Sequence, residues 1–425
     1  LRPANRSIAA ALFVCALLAL QLFGQAPDCA ALEDGRIGVL YVGCIARSRP
    51  FWEMRNDPLF SLTFVQATLR DWAGWGPIQQ AEGESQVYRI VRLYMPRSYR
   101  DLCSRFDVIV LSNANREAVG PKNIEMLAAG VRDAGMGLFM AGGWETFGGA
   151  FARPPWGDTS VGELLPTIDV PDTWVQYPNF GLRLVIDEWE HEFISSLPWK
   201  RENAYFMTDF HHNLVRTKEG SQTLAHVEGS SYGNDPAMVT WDLQNGARVF
   251  AYTGEIYFFN RMNPVWTYYI DFGSNLMIYL DNRPVPQDID LVHALRFKMS
   301  EIAIRKSLLL SLLEFCDRFG ANTGKFVEAM DEIDQVILDA RPQYFELRFE
   351  EALESYRNAG EMLADLEIKA LELKDKALFW IYVIEWLAVT GTAMVCGLVL
   401  WSVMVRRKLY REVRMTRLTD RPLDV

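Results

Sequence analysis

Residues Gly137 to Gly149 read GLFMAGGWETFGG, a short apolar strand that runs straight into a Gly142-Gly143 turn. In α/β enzymes that strand-to-turn position presents a nucleophilic Ser or Cys on a sharp elbow. Here it holds glycine, and no Ser or Cys lies between Ser112 and Ser160. A covalent mechanism therefore lacks its nucleophile, and no catalytic residue is assigned. Two chemistries remain. Gly142 and Gly143 allow close backbone approach and offer amides to an anion, with Trp144, Glu145, Thr146, Asp158, Thr159 and Glu255 as ligand-binding candidates around them. Alternatively, Glu145, Asp158 or Glu255 acts on water in a non-covalent hydrolase. Against both stands a loop that only packs, with Trp144 and Trp156 filling space and Thr146 capping a turn.

Other reactive residues carry less. Asp209, His211 and His212 suggest a metal, but adjacent histidines in a loop more often face water than converge on an ion, so no metal is expected. His191 reads as a structural hydrogen-bonding residue, and Cys44 as a structural thiol at the edge of the sheet. A Cys44–Cys103 bridge is left open, and the remaining cysteines have no disulfide or zinc spacing. Walker and dinucleotide glycine loops are absent, and no cofactor is implied.

The elements that must position these residues alternate. Ile37 to Val42 reads as a buried strand, Pro58 to Trp72 as a helix (Phe60, Phe64, Ala67, Leu69), Val87 to Met95 as a strand, and Phe106 to Ser112 as another. Asn123 to Ala134 predicts a helix with Ile124, Leu127, Ala128 and Val131 on one face, followed by the strand Leu138 to Ala141. This order argues for a parallel sheet with crossover helices. Beyond the elbow, Arg183 to Ile186, Ala237 to Trp241 and Arg248 to Thr253 read as strands, and Tyr268 to Leu280 as the closing helix.

Three further helices follow: Leu291 to Phe319, a second marked by Phe326, Met330, Ile333 and Ile337 and ended by Pro342, and a third from Phe349. In the third, Phe349, Ala352, Tyr356, Ala359, Leu363, Leu366, Ala370, Leu373 and Ala377 form an a/d seam. The seam serves either a homo-oligomer or packing within the chain. No breaker separates this helix from the apolar run Ala377 to Val405, which exceeds the roughly 20 residues that span a bilayer.

Formal net charge is −11 over 425 residues, which argues against nucleic-acid binding. Arg406, Arg407, Lys408, Arg411, Arg414 and Arg417 after the apolar run place the C-terminus in the cytoplasm. A basic start and the apolar run Ile8 to Phe23 read as a signal peptide or an N-terminal anchor. The expected organisation is 1–31 signal segment, 32–283 α/β domain, 284–376 helical juxtamembrane region, 377–405 transmembrane helix and 406–425 basic tail. The bulk of the chain is then extracytoplasmic, in a single-pass protein of the cell membrane.

Phe106 to Ser112, the GLFMAGGWETFGG run, Trp156-Gly157-Asp158-Thr159-Ser160-Val161-Gly162-Glu163-Leu164-Leu165-Pro166, His191 to Trp199 and Gly246 to Gly254 together resemble the glutamine amidotransferase-like family in its divergent, membrane-anchored branch. The resemblance spans roughly Arg36 to Asn282 and implies the flavodoxin-like class I amidotransferase fold. It departs from that family's enzymes at both catalytic positions. Glycine stands at the elbow in place of Cys, and Gly254-Glu255-Ile256-Tyr257 stands where the His is expected. The sequence thus predicts a pseudoenzyme that binds a ligand or a protein partner in a cell-envelope assembly. The alternatives are the non-covalent hydrolase and a purely structural scaffold.

Overall fold

The structure is a computed structural model that describes residues 35–45, 48–69, 81–175, 182–200, 212–230, 233–256 and 266–418. The expected signal segment, Asp209 and His211 lie outside these residues. The described chain divides into two compact units: residues up to Ser300 together with Arg341–Leu353, and Glu301–Ala340 together with the chain from Glu354.

The first unit is built on an eight-stranded sheet in the order β2-β1-β3-β4-β10-β9-β8-β6. Its strands are β1 (Ile37–Gly43), β2 (Phe60–Gln66), β3 (Val108–Ser112), β4 (Gly137–Ala141), β6 (Arg183–Ile186), β8 (Gln222–Ser230), β9 (Gly233–Asp242) and β10 (Arg248–Tyr252). The first five in that order are mutually parallel, and β9, β8 and β6 continue antiparallel. A separate antiparallel pair joins β5 (Thr167–Val175) to β7 (His212–Thr217). The helices that matter below are α1 (Ala81–Tyr94), α2 (Pro121–Ala134), α3 (Tyr269–Leu280), α4 (Ile289–Arg318), α5 (Gly324–Phe345) and α6 (Phe349–Leu418).

Alternation along the central strands divides the core into two layers, because successive side chains point to opposite faces. Val39, Tyr41, Val108, Val110, Phe139 and Phe250 pack with Phe272 and Leu276 of α3. Leu40, Val42, Ile109, Leu111, Leu138 and Val249 pack with Val87 and Val91 of α1 and Leu127 and Val131 of α2. With both faces covered, β1, β3 and β4 are buried along their whole length, which is why they read as unbroken apolar runs.

Two elements differ from the sequence reading. Residues 58–72 were expected as a helix, yet Phe60–Gln66 is strand β2, paired in parallel with β1. Residues 87–95 were expected as a strand, yet they lie in and just after α1. Val87, Val91 and Met95 are buried while Tyr88, Leu93 and Tyr94 are exposed, a spacing of four that belongs to one helical face. Strands β5, β7 and β8 carry no expectation from sequence.

The first unit also holds a buried polar network. Arg296 of α4 is 3% exposed. Its Nη1 donates to Asp271 Oδ1 at 2.8 Å and Asn275 Oδ1 at 2.9 Å, both on α3. Its Nε lies 3.3 Å from Asp57 Oδ2, and Tyr344 donates its hydroxyl to the same oxygen at 2.8 Å. Burial pushes the Asp57 carboxyl up, against the pull of Arg296. The compact unit thus extends past the expected boundary at residue 283 and takes back Arg341–Leu353.

The second unit is helical. α5 continues through Pro342, expected to end it, as far as Phe345. Pro342 lacks the N–H that would donate four residues back, so the helix gives up one backbone bond in its last turn and ends three residues later. α6 is one continuous helix of 70 residues. Its seam residues Tyr356, Ala359, Leu363, Leu366 and Ala370 are buried inside the chain. Arg305 of α4 pairs through two nitrogens with Glu367 of α6, at 2.9 and 2.8 Å, and Lys306 pairs with Asp334 of α5. From Glu385 to Tyr410 α6 is exposed throughout, and it is long and apolar enough to cross a membrane.

Candidate functional site

The order β2-β1-β3 places a topological switch point beside β1, whose neighbours on either side are reached by connections that leave in opposite directions. In open α/β sheets the crevice at the carboxyl ends of such strands is where ligands bind. Here the strand ends are stitched together. The Cys44 amide donates to the Ser112 carbonyl at 2.9 Å, the Ala67 amide to Gly43 at 3.1 Å, and the Asn115 amide to Ala67 at 2.7 Å. Tyr41 donates its hydroxyl to the Cys44 carbonyl at 3.0 Å. Burial pushes that hydroxyl well above the ordinary phenol range, with Cys44 and Glu255 adding to the effect. The Cys44 thiol is buried, and both Cys44 and Cys103 are free cysteines.

The glycine elbow is where sequence expectation and structure part. The amides of Gly142 and Gly143 are expected to be open to an anion, but both are already used. Gly142 N donates to the carbonyls of Tyr252 at 2.8 Å and Gly254 at 2.9 Å. Gly143 N donates to Asn213 Oδ1 at 2.9 Å, and Asn213 Nδ2 donates back to the Gly143 carbonyl at 3.1 Å. The Glu145 amide donates to Asn113 Oδ1 at 2.9 Å. Space is as tight as the bonding. A Cβ added at Gly142 would lie 1.9 Å from the Thr253 carbonyl oxygen, and one at Gly143 would lie 2.4 Å from Asn113 Oδ1. The space beside the Gly142-Gly143 turn is taken by the side chains of Asn113 and Asn213.

The other candidates fall into two groups. Glu145 and Glu255 stay at the elbow. Glu145 is fully buried, and its Oε2 accepts from the Leu69 amide at 2.9 Å. Glu255 is 3% exposed and follows Gly254, whose carbonyl holds Gly142. Trp144 stacks on Phe151 with centroids 5.5 Å apart, and Thr146 donates to the Ala141 carbonyl at 2.9 Å. Trp156 is buried and donates its Nε1 to the carbonyls of Ala114 at 2.9 Å and Glu145 at 3.0 Å. Asp158 and Thr159 belong to a different neighbourhood. Thr159 caps the short helix Ser160–Leu164, accepting from the Gly162 amide at 3.0 Å. Asp158 is exposed, and its charge bears on Asp169 of β5.

The histidines also settle. His212 was expected to face water, but it is fully buried, with Nε2 2.9 Å from Asp235 Oδ2. It lies in β7, and the strand alternation that turns Asn213 toward Gly143 turns His212 the other way. His191 is a structural residue as expected: it caps the short helix Glu192–Ser195 and lies 3.3 Å from the Tyr279 hydroxyl, with burial lowering its pKa. Among the described residues no cluster of His, Cys, Asp and Glu is arranged to hold a metal ion. A surface depression of about 490 Å³ lies away from the elbow, against α2, lined by Arg97, Tyr99, Lys122 and Asp133 among others.

Asn113 and Asn213 are the residues that sequence reasoning missed. Asn113 directly follows β3 at φ +48°, a left-handed conformation that Asn tolerates better than most residues. An Asn directly after an apolar strand is therefore a usable signal. Asn213 gives none, because its partner lies 70 positions away.

No protein-family model and no curated protein sequence matches the chain. Among solved structures, it is similar to a cytoplasmic protein of Salmonella typhimurium LT2 at 18% identity and a TM-score of 0.42, covering 57% of this chain and 98% of that one. A second cytoplasmic protein of Salmonella typhimurium is similar at 17% identity and a TM-score of 0.44, over 57% and 99% of the two chains.

Proposed function

We propose that the chain is a membrane-anchored pseudoenzyme: an α/β domain, related in pattern to the glutamine amidotransferase-like family, that acts by binding and not by catalysis. The observation that carries this reading is the double asparagine lock on the elbow. Acyl transfer needs a nucleophile with unoccupied donors beside it for the developing oxyanion. At Gly142, Gly143 and Glu145 the amides already have intramolecular acceptors. The remaining surface of the domain then presents a ligand or, in a cell-envelope assembly, a partner protein. α6 serves as the single span, with the basic residues after Val405 on the cytoplasmic side and the α/β domain outside, as the positive-inside rule requires.

The test is ammonia release from glutamine by the purified full-length chain in lipid nanodiscs. No release above buffer is expected. Turnover that Glu145→Gln abolishes would overturn the pseudoenzyme reading in favour of a carboxylate-based hydrolase. The orientation is tested by reporter fusions after Val425, which are expected to be active only when the reporter works in the cytoplasm.

A further inference from the structure

Two charged residues bracket the apolar part of α6. Between Glu385 and Arg406 lie twenty residues without charge. At about 1.5 Å each they rise about 30 Å, the thickness of a bilayer's hydrocarbon core. The helix does not stop there: α6 runs unbroken to Leu418. Arg406, Arg407, Lys408 and Arg411 are therefore held at fixed heights and angles on the same rod. Their Cα atoms stand within about 8 Å of the hydrocarbon edge, and the headgroup layer adds about 5–7 Å to each side of that core. Side chains on a helix lean toward its N-terminus. For these four that direction is toward the bilayer, so the long side chains reach back into the headgroup layer.

The protein supplies these cations with no counter-charge. All four are exposed, and among the described residues no carboxylate pairs with any of them. On the other flank of the span charges partly cancel, with Lys374 3.4 Å from Asp375. Arg407 and Arg411 are one turn apart, and Lys408 and Arg411 three residues apart, spacings that bring Cβ atoms to about 5–6 Å on one side of a helix. Like charges at those spacings repel and weaken the helix that carries them. In a chain whose formal net charge is −11, this is a local block of positive charge that an external anion would relieve.

We infer that Arg407, Lys408 and Arg411 form a binding face for the phosphate of an anionic phospholipid, in the leaflet at the C-terminal end of the span. A guanidinium grips phosphate oxygens through two parallel N–H bonds, and Lys adds a point charge. Each cation near an anionic surface favours binding about five-fold. A zwitterionic lipid offers the same phosphate but brings its own ammonium group, which the cluster repels. Free phosphate offers the same oxyanion without being concentrated at this depth, so the lipid is the occupant that the position of the cluster selects. The inference rests on the reading of α6 as a membrane span.

The experiment reconstitutes the full chain in phosphatidylcholine vesicles that carry equal trace amounts of phosphatidylglycerol and phosphatidylcholine, each with a photoactivatable group near the top of one acyl chain. After irradiation, adducts are mapped by peptide mass spectrometry. The ratio of phosphatidylglycerol to phosphatidylcholine adducts on Ser402–Tyr410 is expected to exceed that on Ala377–Trp386 at least five-fold. Equal ratios at the two flanks would overturn the inference and leave the span intact. Absence of adducts from α6 with either lipid would overturn the span itself. In Arg407→Gln/Arg411→Gln, both at exposed positions, the enrichment is expected to fall at least three-fold with total α6 adducts unchanged, and Arg407→Lys/Arg411→Lys should keep at least half of it. Undiminished enrichment in the Gln variant would overturn the assignment to these residues. Inorganic phosphate at constant ionic strength is expected to leave the enrichment unchanged; its loss would make the cluster a site for soluble phosphate and overturn the lipid reading.

Discussion

Gly143→Ala tests whether the elbow is locked as described. Gly143 sits at φ +157°, at the margin of the region where residues with a Cβ are strained, and its added Cβ would lie 2.4 Å from Asn113 Oδ1 and 2.6 Å from Asn113 Cγ. Backbone strain of this kind costs about 1–3 kcal/mol, and forcing an atom into a packed interior costs about 1–3 kcal/mol. Asn113 cannot swing aside without giving up the bond by which its Oδ1 holds the Glu145 amide at 2.9 Å. A loss of about 3–5 kcal/mol is expected, measured by urea unfolding of the full chain in detergent with tryptophan fluorescence. At about 2–4 °C per kcal/mol for a domain of this size, the melting temperature should drop by roughly 10 °C. Asn113→Gly separates the causes: glycine accepts the φ of +48° at position 113 and removes the obstructing side chain. In that background the cost of Gly143→Ala should shrink by about 1–3 kcal/mol, because contacting residues are not additive. A cost below about 0.5 kcal/mol for Gly143→Ala alone, or strict additivity of the pair, would refute the locked elbow.

Three further outcomes are expected. Arg296→Met strands the buried Asp57 and Asp271 carboxylates, and breaking a buried pair in this way costs about 3–5 kcal/mol; adding Asp57→Asn and Asp271→Asn should recover part of it in the same unfolding assay. Asp281 is pushed up to about 6 by burial, with Asp107 adding and Arg283 opposing, and burial likewise pushes Asp169 up to about 6. Unfolded Asp titrates near 4, so between about pH 4 and 6 the folded chain binds more protons than the unfolded one, and stability falls as pH rises through that window by about 1–3 kcal/mol per group; Asp281→Asn should flatten the profile, and an unchanged profile would refute the assignment. Asn213→Leu removes both hydrogen bonds to Gly143 and leaves a buried amide and carbonyl unpaired, at about 2–4 kcal/mol; hydrogen exchange at Gly143 should accelerate, and full protection would refute the clamp.

The parts of the fold legible in the sequence are those where burial is complete. β1, β3 and β4 are apolar on both faces, and α2 shows Ile124, Leu127 and Val131 on one face between a proline start and Gly135 in the left-handed conformation at its end. β2 and α1 were exchanged because each is only partly covered. In β2 half-buried Ser61 and Thr63 break the apolar run, and in α1 exposed Tyr88, Leu93 and Tyr94 fill the gaps between buried positions. β5 and β8 escaped because their pairing is irregular, with register shifts after Asp169 and Thr223. At the elbow the glycines were visible, and so was the absence of Ser and Cys between Ser112 and Ser160. What closes the site was not, because the asparagine side chains arrive from β3 and β7 and no local pattern couples them to Gly143.

The route of the chain through the Arg296 network has a consequence for how the protein is made. Tyr344 closes that network only after the stretch 301–340 has been synthesised, and its hydroxyl completes the bonding of Asp57, 287 residues earlier. Domains tend to fold as units while the chain emerges, but this one is discontinuous: its last stitch is sewn almost three hundred residues after its first. A ribosome paused before Arg341 would hold a sheet complete in every strand yet carrying an unfinished buried charge cluster. A proteolytic fragment ending near Asn282 would lack Arg296 altogether. The α/β unit is therefore completed only by a segment that follows residues 301–340, which belong to the other unit.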